Sequence, residues 1–193
     1  LGEEVLRDVW TLSPSELCNA TRALARLRPL LTDDAGAKEF FVSAVSHFRE
    51  RVDSFSTKDL SLTLHAFVKL GINDADMLVS AGKSIQGRVL ECQPRDLALV
   101  LYSMSKADRL SRKLLAAVTP ELQRNISDIT KYTPQDVSMI LWALSAGRRS
   151  LRATIAPDLM TRLSGYISKH ARAFSPESLT VTALSFTRMG FRH

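Results

Sequence analysis

The chain has 193 residues, 45% hydrophobic and 24% charged, with a mean hydropathy of −0.02. This is the composition of a globular protein, and no apolar run approaches the roughly 18 residues a membrane helix needs. The formal net charge is +6, and 18 of the 26 basic residues are arginine. A guanidinium forks onto phosphate and stacks on flat rings, so this bias leans toward a polyanionic partner. Cys18 and Cys92 stand far apart without metal-ligand spacing. Two buried, reduced thiols are expected, which argues against a secreted disulfide scaffold.

Taken in chain order, the predicted elements repeat. The first unit opens at the capping residue Ser13, followed by Pro14, Glu16 and Leu17, with Leu24 eleven places after the cap. Proline suits the first helical position, where its missing N–H is not needed, and an acid three places after the cap can close a capping box. Asp33–Asp34 read as a solvated turn, and "KEFFVSAVSHFRERV" (38–52) is a second amphipathic helix. The second unit restarts at Ser56 with Thr57, Asp59, Leu60 and Phe67, ends at Gly71, and continues into "DMLVSAGKSIQGRVL" (76–90). The third runs from Gln93 through Pro94, Asp96, Leu97 and Met104 to a longer partner at 111–129. The fourth runs from Thr133 through Pro134, Asp136, Val137 and Leu144 to Gly147, with its partner at 151–170. The fifth has Ser175, Pro176, Ser178, Leu179, Phe186 and Gly190, and its second helix is expected beyond residue 193. Pro120 and Pro157 fall inside the last two partner helices, which should be kinked or split there.

The five caps lie 43, 37, 40 and 42 residues apart. There is no strand-like alternation and no linker rich in Pro, Gly or Ser. The reading is all-α: an α-solenoid of about five stacked helix–turn–helix repeats of roughly 37–43 residues, one continuous array over 1–193. The start at Leu1 rather than methionine leads us to expect a piece of a longer protein, with any targeting peptide outside it.

Catalytic signals are weak. "AGKS" (81–84) resembles the end of a phosphate-binding loop, but Met77 stands where that loop needs its first glycine, and the stretch falls in a predicted helix. His47, His65, His170 and His193 are scattered without His–His or His–Cys ligand spacing. No serine sits in a Gly-x-Ser-x-Gly elbow. The expectation is that the protein is not an enzyme and carries no cofactor or metal.

A repeat array works by displaying equivalent positions at intervals. We call the first helix of each unit A and the second B. Thirteen places after the cap, the A helices carry Arg26, Lys69, Lys106, Ala146 and Arg188; nine after it, Arg22, His65, Tyr102, Trp142 and Leu184. Two places after it stand Ser15, Lys58, Arg95, Gln135 and Glu177. Cations track a phosphate backbone, and flat groups hold bases splayed from a single strand. Arg26, Lys69, Lys106 and Arg188 are therefore candidates for phosphate, and Arg22, His65, Tyr102 and Trp142 for base stacking. Lys58, Arg95 and Gln135 are further candidates on the same face. Two plainer readings compete: the flat residues could wedge between neighbouring A helices, and a cation in a last turn is favoured by the helix dipole alone. Six places after the cap the residues are mostly apolar (Asn19, Leu62, Leu99, Met139, Val181), so the A helices should be buried on more than one side.

"TPQDVSMILWALSAG" (133–147), "FSTKDLSLTLHAFVKLG" (55–71) and "FSPESLTVTALSFTRMG" (174–190) resemble the first helix of octotricopeptide and heptatricopeptide repeats. The likeness extends over essentially the whole chain and is weakest at Ser13. It implies an organellar, typically mitochondrial, RNA-binding protein acting in RNA processing, stabilisation or translation. The irregular intervals, and His65 and Leu184 where the family has tryptophan, do not support a base-by-base code. The resulting expectation is a non-catalytic RNA-binding protein of the mitochondrion, most concretely a ribosome component or rRNA-associated factor amid neighbouring proteins. The alternative is a protein-interaction scaffold of a large organellar complex, with no direct RNA contact.

Overall fold

A computed structural model of the protein describes residues 9–27, 35–128 and 130–191. Asp33–Asp34 and His193 lie outside the described residues. Among the described residues the chain is all-α, without a strand. Its helices are α1 (Pro14–Leu27), α2 (Ala35–Glu50), α3 (Thr57–Leu70), α4 (Ala75–Gly87), α5 (Pro94–Lys106), α6 (Arg112–Asn125), α7 (Pro134–Ala146), the short α8 (Arg149–Arg152), α9 (Pro157–His170) and α10 (Pro176–Met189). The A helices are α1, α3, α5, α7 and α10; the B helices are α2, α4, α6 and α9.

The A helices start where the caps predict, for the predicted reason. The Ser56 hydroxyl accepts the Asp59 N–H at 3.0 Å. Ser13 and Glu16 close a reciprocal box, as do Thr133 and Asp136. Ser175 accepts the Ser178 N–H at 3.2 Å, while at Gln93 the Asp96 carboxylate takes the backbone N–H at 3.0 Å. Helix ends follow a second register. Fifteen places after the cap, Gly71 (φ 84°) and Gly190 (φ 67°) turn left-handed, and Asp108 (φ 53°) does so between them. In each case the next N–H reaches back to close the helix: Ile72 to Phe67, Arg109 to Met104 and Phe191 to Phe186. A left-handed residue there satisfies carbonyls that the helix leaves open. Gly147 ends α7 differently, with extended backbone (φ −58°, ψ 158°).

Packing joins counterparts. α1 lies on α3, α3 on α5, α5 on α7 and α7 on α10; among the B helices, α2 lies on α4, α4 on α6 and α6 on α9. Leu60, Leu97 and Val137, four places after their caps, are fully buried, as are Phe67, Met104 and Leu144 further along. The same positions in α10 are less covered: Leu179 is 37% exposed. Removing each such leucine from water is worth about 2 kcal/mol, so this stripe is what holds the A row together.

Two recurring features escaped the sequence reading. A 3-10 turn precedes the cap at Val9–Thr11, Val52–Ser54, Val89–Glu91 and Ala171–Ala173, with Val9, Val52 and Val89 buried. Behind it, the residue just before the cap packs inward, as Phe55 does edge-on to Phe48 at 4.9 Å. Its carbonyl is then claimed by the following unit. Arg51 donates to the Leu12 carbonyl at 3.4 Å, Arg88 to that of Phe55 at 2.8 Å, and the Tyr166 hydroxyl to that of Tyr132 at 2.7 Å. Part of the arginine bias is therefore mortar between units.

The B-helix prolines behave unlike each other. At Pro157 the predicted helix is split, with α9 beginning there after the short α8. At Pro120, α6 runs on unbroken to Asn125, and the neighbouring Thr119 hydroxyl bonds the Leu115 carbonyl at 2.7 Å. "AGKS" lies within α4 with Ala81, Gly82 and Ser84 buried, so it cannot cradle a phosphate. Cys18 is buried and Cys92 half-buried, both free thiols; burial pushes the Cys92 thiol up to about 12.

Candidate functional site

The A helices α1, α3, α5, α7 and α10 together line one open groove of about 520 Å³. Because they lie side by side in register, the same positions of successive units fall next to one another along it. Of the predicted residues, Arg22, Arg26, His65, Lys69, Arg95, Tyr102, Gln135 and Trp142 line this groove. Lys58, Lys106 and Arg188 are exposed and lie outside its lining. Lys106 is nonetheless adjacent, with Nζ 5.7 Å over the Tyr102 ring.

The flat residues form a ladder. His65 and Tyr102 have ring centroids 5.6 Å apart, and Tyr102 and Trp142 are 4.8 Å apart, tilted by 39°. All three are half-buried, Tyr102 packing between His65 and Trp142, and all three line the groove. The Ser103 hydroxyl stands 3.4 Å from His65 Nδ1. The column ends at Leu184, which is 52% exposed and cannot continue a ladder of rings.

The cations are unequal. Arg95 Nη1 lies 3.7 Å from Asp136 Oδ1, a carboxylate oxygen with no hydrogen-bond partner among the described residues, so Arg95 is partly committed to the fold. His65 shows that the basic residues converge. Burial pushes its pKa down to about 4, and the positive charges of Lys69, Lys106 and Arg95 push in the same direction. The imidazole is therefore neutral at neutral pH and acts as a ring rather than as a cation.

Sequence reasoning missed the floor. Leu62, Leu99, Met139 and Val181, read as a second buried side, line the groove beneath the rings and cations. Three of the four are only half-buried, Leu99 alone being covered. Their common register, six after the cap, was the available signal. The groove also changes character along its length. It is basic at α1 and α3, and ends at α10 on Glu177 and Ser178.

Among the described residues no group of three or more His, Cys, Asp or Glu side chains could hold a metal, and no helix is long and apolar enough to cross a membrane. No protein-family model matches the sequence, and no curated protein matches it at a significant level.

Proposed function

We propose that the chain is an α-solenoid of about five helix–turn–helix units that binds single-stranded RNA along the groove of its A helices, without catalysis. The carrying observation is the convergence of Arg22, Arg26, Lys69 and Arg95 with the ring ladder His65–Tyr102–Trp142 on one open groove. Cations along a backbone path beside stackable rings are the chemistry a single strand requires, and it is tolerant of sequence because every base has a flat face. The solenoid reading rests on the packing of each A helix on the next and of each B helix on the next. The mitochondrial setting, and the role as a ribosome component or rRNA-associated factor, rest on the resemblance of the A helices to octotricopeptide and heptatricopeptide repeats.

The test is crosslinking of the native protein in organelle extract, followed by sequencing of the attached RNA. Crosslinks on ribosomal RNA support the ribosomal role, and crosslinks on a few transcripts support a processing or stability factor. In binding assays Arg26→Glu with Lys69→Glu should weaken affinity and lower the salt slope by about 1.4. Unchanged affinity would remove the groove from the proposal.

The protein-scaffold reading also has an observation in its favour. The apolar floor of Leu62, Leu99, Met139 and Val181 with Glu177 at one end suits an amphipathic peptide. Recovery of no RNA above background would transfer the groove to that partner.

A further inference from the structure

A second basic surface lies at the turns that follow the A helices. Asp108, Arg109, Leu110, Arg112, Arg148 and Leu151 line one open hollow of about 320 Å³ between the α5–α6 turn and the end of α7. Three arginines and one aspartate stand there. Asp108 takes Arg148 through two bonds, Nε at 3.1 Å and Nη2 at 2.7 Å, which hold that guanidinium in place; the same contact keeps the Asp108 carboxyl below its ordinary range. Arg109 and Arg112 are exposed beside them.

This hollow differs from the groove in one chemical respect: among the described residues no aromatic ring lines it. Guanidiniums without rings can fork onto phosphate but give bases nothing to stack on. Such a surface suits an RNA whose bases are already paired, since duplex RNA is held mainly through its phosphates and 2′-hydroxyls. The two surfaces are connected. Lys106 stands over the Tyr102 ring of the groove, and Asp108, two residues on, opens the hollow.

We propose that the Arg109–Arg112–Arg148 hollow is a second phosphate-binding site, taking the backbone of a base-paired segment that flanks the single strand in the groove. The proposal rests on the RNA reading of the groove. It makes the preferred ligand a junction between single strand and stem rather than an unstructured strand.

The experiment compares two probes by fluorescence anisotropy at several salt concentrations: an oligouridylate, and the same oligouridylate continued into a hairpin stem. The wild-type chain should bind the tailed hairpin more tightly than the bare tail, with a steeper salt dependence. Arg109→Glu with Arg112→Glu should abolish that increment and lower the hairpin's salt slope by about 2, leaving the bare tail as before. Arg26→Glu with Lys69→Glu should weaken both probes. Equal affinity for the two probes, or equal weakening of the bare tail by the Arg109/Arg112 variant, overturns the hollow and leaves the groove standing. Binding of neither probe overturns both.

Discussion

Two neighbouring seams of the A row place a carboxylate at the same register position and treat it differently. Between α3 and α5, Asp96 is buried and accepts from the Thr57 hydroxyl at 3.3 Å, the Ser61 hydroxyl at 3.2 Å and the Gln93 N–H at 3.0 Å. Between α5 and α7, Asp136 is as deeply buried, yet its donors are local, from Thr133, and Oδ1 has no hydrogen bond. The cause is readable one unit back. The positions that supply Thr57 and Ser61 to the first seam supply Pro94 and Ala98 to the second, and neither has a hydroxyl. Arg95, at 3.7 Å, stands in as a distant counter-charge. A groove cation is thus held by an imperfect seam, so the fold and the binding surface share a residue.

The largest effect should come from the satisfied seam. Asp96→Ala removes a buried carboxylate that three donors share, leaving the Thr57 and Ser61 hydroxyls only the Glu91 and Lys58 carbonyls and the Gln93 N–H without its acceptor, and should cost about 2–3 kcal/mol in urea unfolding. Asp136→Ala should cost less, about 1–2 kcal/mol, because it removes local bonds and an oxygen that has no hydrogen bond among the described residues. The second variant should also leave RNA affinity undiminished, since Arg95 is released toward the groove. If Asp136→Ala proved as costly as Asp96→Ala, the seams would be equivalent and the account of Arg95 wrong.

The comparison can be sharpened in the opposite direction. Ala98→Ser places a hydroxyl at the position Ser61 occupies in the first seam. Ser61 also donates to the Lys58 carbonyl three residues back at 2.9 Å, so a serine at 98 would not be left orphaned. A gain of about 0.5–1 kcal/mol is expected, read as a higher melting temperature. A loss would mean that α5 and α7 are too close for the added oxygen, Ala98 being fully buried.

Helix starts were legible because capping is local: Ser56 and Thr133 act on residues three places along the chain. Members of the groove were legible because a register repeated in sequence becomes a row in space once A helices lie side by side. What could not be read was how those residues are used. Asp96, Arg51 and Arg88 look like a helix-dipole acid and two surface cations, and become inter-unit bonds only when the counterpart 33 to 39 residues away is known. The apolar floor was misjudged for a related reason. Leu62 and Met139 share a periodicity with the core, and periodicity alone does not separate a residue covered by a neighbouring helix from one lining a cleft.

The smallest expected effect is a titration, and it tests the groove directly. His65 lies at the first seam, tilted against Tyr102, with its pKa brought down to about 4 by burial and then by Lys69, Lys106 and Arg95. In the unfolded chain the ring protonates near its ordinary 6.5. Its folded value lies below the unfolded one, so the neutral ring's contribution to stability is complete above pH 6.5 and is lost as pH falls from there through about 4. Lys69→Gln removes one of the cations and should raise the value, observed as an upfield-shifting ring proton titrating at higher pH. Bound oligouridylate should raise it as well, since phosphates beside Lys69 and Lys106 offset the charges that oppose protonation. A ring that titrates near 6.5 in the free protein would mean that His65 stands in open water away from those cations, and the ladder would lose its first rung. A value that is low in the free protein and unmoved by the oligonucleotide would place any bound phosphates elsewhere, away from the cations of α3 and α5.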